Sequence, residues 1–311
     1  MSGNLTNAGR SEIEGIDLTP AFMKLIEGTS SFLSLASFRV VSNRAGCPTE
    51  WREFKDTSCT DVSLSITSMF NYFQTFHWST GVNEHLLRHF ETADDMLNSY
   101  VQNGLHGIYS ALNHAVLFGE RVYGDLYNSR MGGLNWWLTD TTNGTPINVD
   151  CHDKVLSLKA LEGLVGEQYK VGGKSNTLLC SFGTASKIKS FPVRLRESMC
   201  GHLSIVTDGD MPDDVLFFVN TDDVNVEYPE GKGVSFKEVV RNNRRFWEIF
   251  GAYTVVIHHP CSNHARLFNF RLRAKDSWFK RICDFIKMLF SKVTHSMFKV
   301  KSKIKSMLRR R

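Results

Sequence analysis

Apolar positions along this chain change period several times, and each change marks an element. Between Phe32 and Phe54, SFLSLASFRVV alternates apolar with small or polar side chains, NRAGCP supplies turn chemistry, and TEWREF alternates again. Period-two alternation broken by Gly and Pro predicts a β-hairpin. A second β-like run, VSLSITSMFNYFQTFHWS, continues to about Ser79, with Val62, Leu64 and Ile66 at period two. The period then lengthens. From about Asn83 to Tyr123, Leu86, Leu87, Phe90, Met96, Leu97, Val101, Leu105, Ile108, Leu112, Val116 and Leu117 recur at spacings near 3.6, which predicts one long helix. Gly104, Gly107 and Gly119 each cost that helix roughly 1 kcal/mol against alanine, so a kink or a close approach is expected there.

A turn-rich segment, SRMGGLNWWLTDTTNGTP, separates this helix from a second one over Val155–Tyr169, for which Asp153 is the candidate cap. From Thr177 the chain reads mostly as strands: TLLCSF, IKSFPVRL, HLSIVTDGD, VLFFVN and AYTVVIHH, with FKEVVRNNRRFWEIF open between strand and short helix. Strands bearing helices of contrasting length predict an α+β body. Residues 1–31 are polar and Gly/Ser-rich around one short amphipathic piece, Pro20–Ile26, and read as an arm lying over other surfaces. No internal repeat is visible.

Charge separates the last segment from the rest. The chain carries +5 overall, but Arg271–Arg311 holds fourteen Lys or Arg against two acids, +12, leaving 23 basic and 30 acidic residues, −7, upstream. In that segment Trp278, Ile282, Phe285, Ile286, Leu289, Val293, Met297, Val300, Ile304 and Leu308 keep spacings of three and four, with basic residues between them. This predicts a basic amphipathic helix. Its apolar stripe requires a partner surface, and its cations an anion: a membrane surface, nucleic acid or a partner groove each satisfies both, as does packing on its own body. Trp278, Lys280, Arg281, Phe285, Lys287, Lys292, Lys299 and Lys303 are the candidate contact residues.

Other chemistry is weak. The seven cysteines are scattered, odd in number and without Cys-x-x-Cys, which predicts free thiols rather than a disulfide scaffold. The N-terminal residues lack a basic n-region and an apolar h-region, so no signal peptide is expected, and no apolar stretch is long enough to span a membrane. The sequons at Asn4 and Asn143 therefore carry little meaning. Gly173-Lys174-Ser175 ends like a phosphate-binding loop, but Gln168 stands where its first glycine belongs, and a glycine-rich turn is expected. His85 and His89 share a helix face, but Glu84 precedes the first His where a zinc protease has its Glu following it, and His258, His259, Cys261 and His264 lack a second half-site. TDGDMPDD has Val219 where a calcium loop needs glutamate. No nucleophile elbow or Cys-His arrangement occurs, so no enzyme, cofactor or metal site is expected.

Four stretches, in order, resemble one family. SMFNYFQTFHWSTGVNEH carries Asn71 and Gln74 as an "NxxQ" strand leading to the long helix. HAVLFGERVYGDLYNSRMGGLNWWL carries Leu117 and Gly119, then Gly133 and Leu134, as small-residue "xLxG" and "GL" signals. DVLFFVNTDDVNV, with Asp208, Asp210 and Pro212 ahead of it, resembles a strand pair of the same family. GAYTVVIHHPCSNHARLFN resembles its closing strand through Gly251, Thr254, Pro260, His264, Ala265 and Leu267. The family is that of the tailed-phage major capsid proteins, whose fold was first seen in phage Hong Kong 97 and is shared by encapsulins. The likeness spans about residues 30–270; the basic tail departs from it.

The resemblance implies an N-terminal arm (1–31), an extended loop hairpin (32–66), a peripheral domain with the spine helix (67–145 and 234–273), an axial domain (146–233) and the added tail (274–311). It implies a non-enzymatic protein whose copies form pentamers and hexamers of an icosahedral shell around double-stranded DNA. Such a shell would be assembled in the host cytoplasm with scaffolding and portal proteins. A hairpin is marginal alone and gains stability on a neighbour, which makes Trp51, Arg52 and Phe54 candidate interface anchors. The tail would face DNA or another anionic surface. Three alternatives stay open here: a peripheral membrane protein anchored by the tail, a nucleic-acid-binding module, and an enzyme using the His258–His264 cluster.

Overall fold

The computed structural model describes residues 15–29, 31–41, 49–55, 65–81, 93–123, 129–141, 145–192, 203–231, 233–241 and 244–273. Six strands form the larger sheet: β1 (Ile16–Asp17), β2 (Ser37–Val41), β5 (Gln74–Gly81), β10 (Val224–Pro229), β11 (Ser235–Arg241) and β12 (Arg244–Ile257). A separate ribbon pairs β3 (Thr49–Lys55) with β4 (Ser65–Asn71). A second sheet runs in the order β6 (Ile147–Val155), β13 (Ala265–Arg271), β9 (Val215–Val219), β7 (Thr177–Cys180), β8 (Ser204–Thr207). The fold is thus α+β, as the mixed periods predicted.

β12 organises the larger sheet because it is long enough to serve three partners. It pairs with β11 over 244–250, β5 over 246–253 and β10 over 254–257, all antiparallel. The long helix, Ala93–Phe118, packs on β5 and β12. Gly104 shows why: a Cβ there would lie 2.4 Å from Ile249 Cδ1 and 2.5 Å from Trp78 Cε3. The glycine is the point of closest approach between helix and sheet rather than a kink. Tyr100, one turn earlier, donates its hydroxyl to the Trp247 carbonyl at 2.5 Å and stacks on Trp78 with ring centroids 4.3 Å apart.

The second sheet has two buried faces, which explains why its central strands read as unbroken apolar runs. Along β9, Val215, Phe217 and Val219 belong to the core shared with the long helix, while Leu216 and Phe218 belong to a second core. That second core is completed by Leu161 and Leu164 of the helix Leu158–Lys170 and by Ile188 of the helix Phe182–Lys189. Phe118 meets Phe217 at 6.0 Å between ring centroids, joining the end of the long helix to this sheet.

Several expectations are corrected. The segment 32–41 is not one arm of a hairpin with 49–54. Phe32–Leu35 is a 3-10 turn and β2 pairs parallel with β10, while the ribbon is β3 with β4. Alternation identifies a strand but carries no information about a partner far along the chain. FKEVV and RRFWEIF form the antiparallel β11–β12 pair, and AYTVVI continues β12. Ile188 and Lys189, read as strand, close the helix Phe182–Lys189. The helix cap is Ser157, whose side chain accepts from the Ala160 amide, not Asp153, which pairs with Arg271. Residues 15–27 of the arm pack on their own body: β1 pairs with β11, and Phe22 and Ile26 of the helix Thr19–Glu27 are buried. β10 lies in the larger sheet and β13 in the second.

Candidate assembly surfaces

Four polar clusters, in which Asn71, Asp208, Ser181 and His264 are buried, fix the local geometry. The first joins the root of the ribbon to the end of the long helix. Asn71, 1% exposed at the end of β4, donates to the carbonyls of Gly132 (2.9 Å) and Val255 (2.6 Å) and accepts from the amides of Gly132 (2.7 Å) and Tyr72 (3.0 Å). Gln74 accepts from the Met131 amide at 3.3 Å. Gly133 donates to the Gly119 carbonyl at 2.8 Å, and a Cβ on Gly133 would sit 2.4 Å from the Ala115 oxygen. The residues that carried two of the four family-like stretches are therefore one knot, in which an amide side chain holds a backbone that only glycine allows so close.

A second cluster ties the chain before β2 to the long helix and to the loop before β9. Asp208 is buried; its carboxylate accepts from the Phe32 amide (3.0 Å), the Asn113 side chain (3.0 Å) and the Asp210 amide (3.0 Å). Asn113 also donates to Asp210 at 2.7 Å. In the third, Asp213 accepts from Ser181, the cap of the helix Phe182–Lys189. Three of the four TDGDMPDD carboxylates, those of Asp208, Asp210 and Asp213, thus accept from amides and a hydroxyl, and no group of three or more His, Cys, Asp or Glu that could hold a metal ion occurs among the described residues.

The fourth cluster contains the histidines. His264 is fully buried, its Nε2 3.0 Å from the His258 carbonyl, and burial pushes its pKa down to about 4, so it is neutral at pH 7. Asn263 donates to Asp223 at 2.6 Å and accepts from the Lys174 amide at 3.1 Å. The phosphate-loop-like segment is a turn against this corner: Gly172 has φ +73, and Gly173 lies against Ser262. Cys180 is buried in β7, where burial pushes its thiol up to about 12 and leaves it unreactive.

The candidate contact residues lie elsewhere. Trp51, Arg52 and Phe54 all fall on β3, opposite Met69, Ser68 and Ile66 of β4. Outside its own pairing the ribbon meets the body at β12. At one end of the second sheet Tyr169 (84% exposed) and Val171 are open; at the other, Phe182 (80% exposed). Sequence periodicity missed these last three because nothing marks an apolar residue as exposed until its helix is placed. His85, His89, Asn143 and the tail residues Trp278, Lys280, Arg281, Phe285, Lys287, Lys292, Lys299 and Lys303 lie outside the described residues.

Solved structures share this architecture. The capsid of a native GTA particle superposes with TM-score 0.58 at 10% identity, covering 86% of this chain and 96% of that one. The Cyanophage A-1(L) capsid gives 0.56 at 12% identity, covering 79% and 93%. A virus-like particle from Pyrococcus furiosus gives 0.51 at 11% identity, covering 80% and 96%. The fold is therefore the Hong Kong 97-type capsid fold. No curated protein matches the sequence. The pattern of the SU10 major capsid proteins matches residues 50–270, more than two thirds of the chain, and the chain belongs to that family. It is a structural capsid protein of a phage virion rather than an enzyme, and the comparisons give no support to the membrane-anchored alternative.

Proposed function

We propose that copies of this chain assemble as pentamers and hexamers into a closed icosahedral shell around double-stranded DNA, each subunit laying its β3–β4 ribbon on a neighbour. The ribbon carries the reading. Two strands paired over seven positions, meeting their own body at β12, gain stability by resting on another surface. Trp51, Arg52 and Phe54 are the anchors in this reading, since aromatic and Arg side chains dominate interface energies. The six-stranded sheet with the long helix serves as the peripheral body and the five-stranded sheet as the axial one. The tail, with its basic residues beyond Lys287, offers counter-charge to DNA inside the shell. Assembly takes place in the host cytoplasm, with scaffolding and portal proteins as partners.

The test is the mass of the expressed chain by light scattering, with electron microscopy of the peak, for the wild type and for Trp51→Ala/Phe54→Ala. Closed megadalton particles from the wild type, lost in the double variant while the subunit stays folded, are expected. Unchanged particles from the variant would remove the ribbon from the mechanism.

A further inference from the structure

One end of the second sheet gathers features that the shell reading leaves unused. Phe182 begins its helix four-fifths exposed, beside a cavity of about 460 Å3 whose lining includes Gly183, Asp208 and Asp213. Val155, the last residue of β6, is 37% exposed and pairs with Arg271, so it belongs to the same end. The described chain leaves from this place. Leu272 Cδ1 lies 3.0 Å from the position a Cβ would take on Gly183, and Arg273 is the last described residue.

The charge here is negative. Asp208, Asp210 and Asp213 accept hydrogen bonds from amides and a hydroxyl, neutral donors that leave the carboxylate charge in place; Asp214 next to them is exposed and has Arg266 as an electrostatic neighbour, so these four carboxylates face one cation. The chain beyond Leu272 is complementary. Arg273, Lys275, Lys280 and Arg281 are basic against the two acids Asp276 and Asp284, and Trp278, Ile282 and Phe285 stand at helical spacings i, i+4 and i+7. Between Arg273 and Trp278 stand only Ala274–Ser277. Extended, this link reaches about 13 Å at roughly 3.3 Å per residue, enough to bring the indole over Phe182.

We propose that Trp278–Phe285 of the chain dock on the mouth formed by Phe182, Gly183 and the 207–214 loop of the same subunit. The apolar stripe covers Phe182, and Lys280 and Arg281 face Asp213 and Asp214. Docking consumes the first cations of the tail and leaves those from Lys287 onward free, so the basic segment is presented from a fixed point at this end of the second sheet. A contact that is half apolar and half ionic loosens with salt, since the ionic half is screened over about 10 Å at 0.1 M.

The experiment places a photo-reactive benzoylphenylalanine at position 182 of the full-length subunit, held below its assembly concentration and prepared as a mixture of isotopically heavy and light chains. Conjugates between position 182 and peptides spanning 275–287, always heavy with heavy or light with light, are the expected result, with yield falling as NaCl rises. Heavy–light conjugates would show that a second copy occupies the mouth and would overturn the proposal, as would conjugates that never include the tail. A second readout needs no cross-link. In Phe182→Ser, trypsin cleavage after Lys280 and Arg281 should accelerate several-fold, while Tyr169→Ser at the other end of the sheet leaves it unchanged. Equal rates in wild type and Phe182→Ser would equally refute the dock.

Discussion

Replacing Asn71 with alanine tests whether the knot beneath the ribbon holds the subunit together. The side chain makes four hydrogen bonds, all to backbone groups, from a position 1% exposed. A typical net value is about 1 kcal/mol per hydrogen bond, and a buried group left unsatisfied costs about 1–3 kcal/mol. Gly132 loses partners for both its amide and its carbonyl, so a loss of about 3–5 kcal/mol is expected, a large part of the roughly 5–15 kcal/mol that holds a domain folded. Asn71→Asp is the sharper variant. It keeps size and both accepting contacts but turns a carboxylate toward the Gly132 and Val255 carbonyls, so it should match the alanine loss at pH 7 and recover partly in acid. Urea unfolding of the unassembled subunit, followed by tryptophan fluorescence, reads both, with exposed Asn148→Ala as the control expected within about 0.5 kcal/mol of wild type. An Asn71→Ala shift below about 1 kcal/mol, at unchanged m-value, would refute the account.

Gly133→Ala should lower stability by about 3 kcal/mol, because its Cβ meets backbone at 2.4 Å and 2.7 Å with no side chain able to yield; Gly163→Ala, with nothing within 4 Å inside a helix, should raise it by about 0.5–1 kcal/mol. Thermal melts of the two variants check the opposite signs. His264 has a folded pKa of about 4 against 6.5 free, so the unfolded chain binds more protons between those values and stability falls as pH drops from 6.5 to 4. The loss from this residue is about 3 kcal/mol, and denaturant midpoints at pH 7, 5.5 and 4.5 should show a shallower slope in His264→Gln. Asp208→Asn places an amide group where the Phe32 amide or the Asn113 amide group donates, and should cost about 2 kcal/mol, visible as a lower urea midpoint.

The legible part of the fold was whatever is encoded locally or by a side chain with one job. The long helix is periodic over its whole core face, and β9 announces burial on both sides through Val215-Leu216-Phe217-Phe218-Val219. Asn71, Gln74, Gly119 and Gly133 stood out in the sequence only through the family resemblance; that they meet in one knot became visible with their contacts. What stayed hidden was partner choice. β2 could have closed a hairpin with β3 on pattern alone, and the parallel pairing with β10 depends on a contact far along the chain that no local period records. Asp153 looked like a cap because the helix start was read three residues early, at Val155 rather than Leu158; its carboxylate instead meets Arg271, beside the irregularity between Phe268 and Phe270 in the β6–β13 pairing. Phe182 went unnoticed because one aromatic residue among many becomes informative only once its helix turns it to solvent.

The chain passes between the two sheets three times, from β5 through the long helix to β6, from β9 to β10, and from β12 to β13. A load that pulls one sheet from the other is therefore carried by three covalent straps in parallel, two of them only a few residues long. Such a subunit has no single linker about which to swing open.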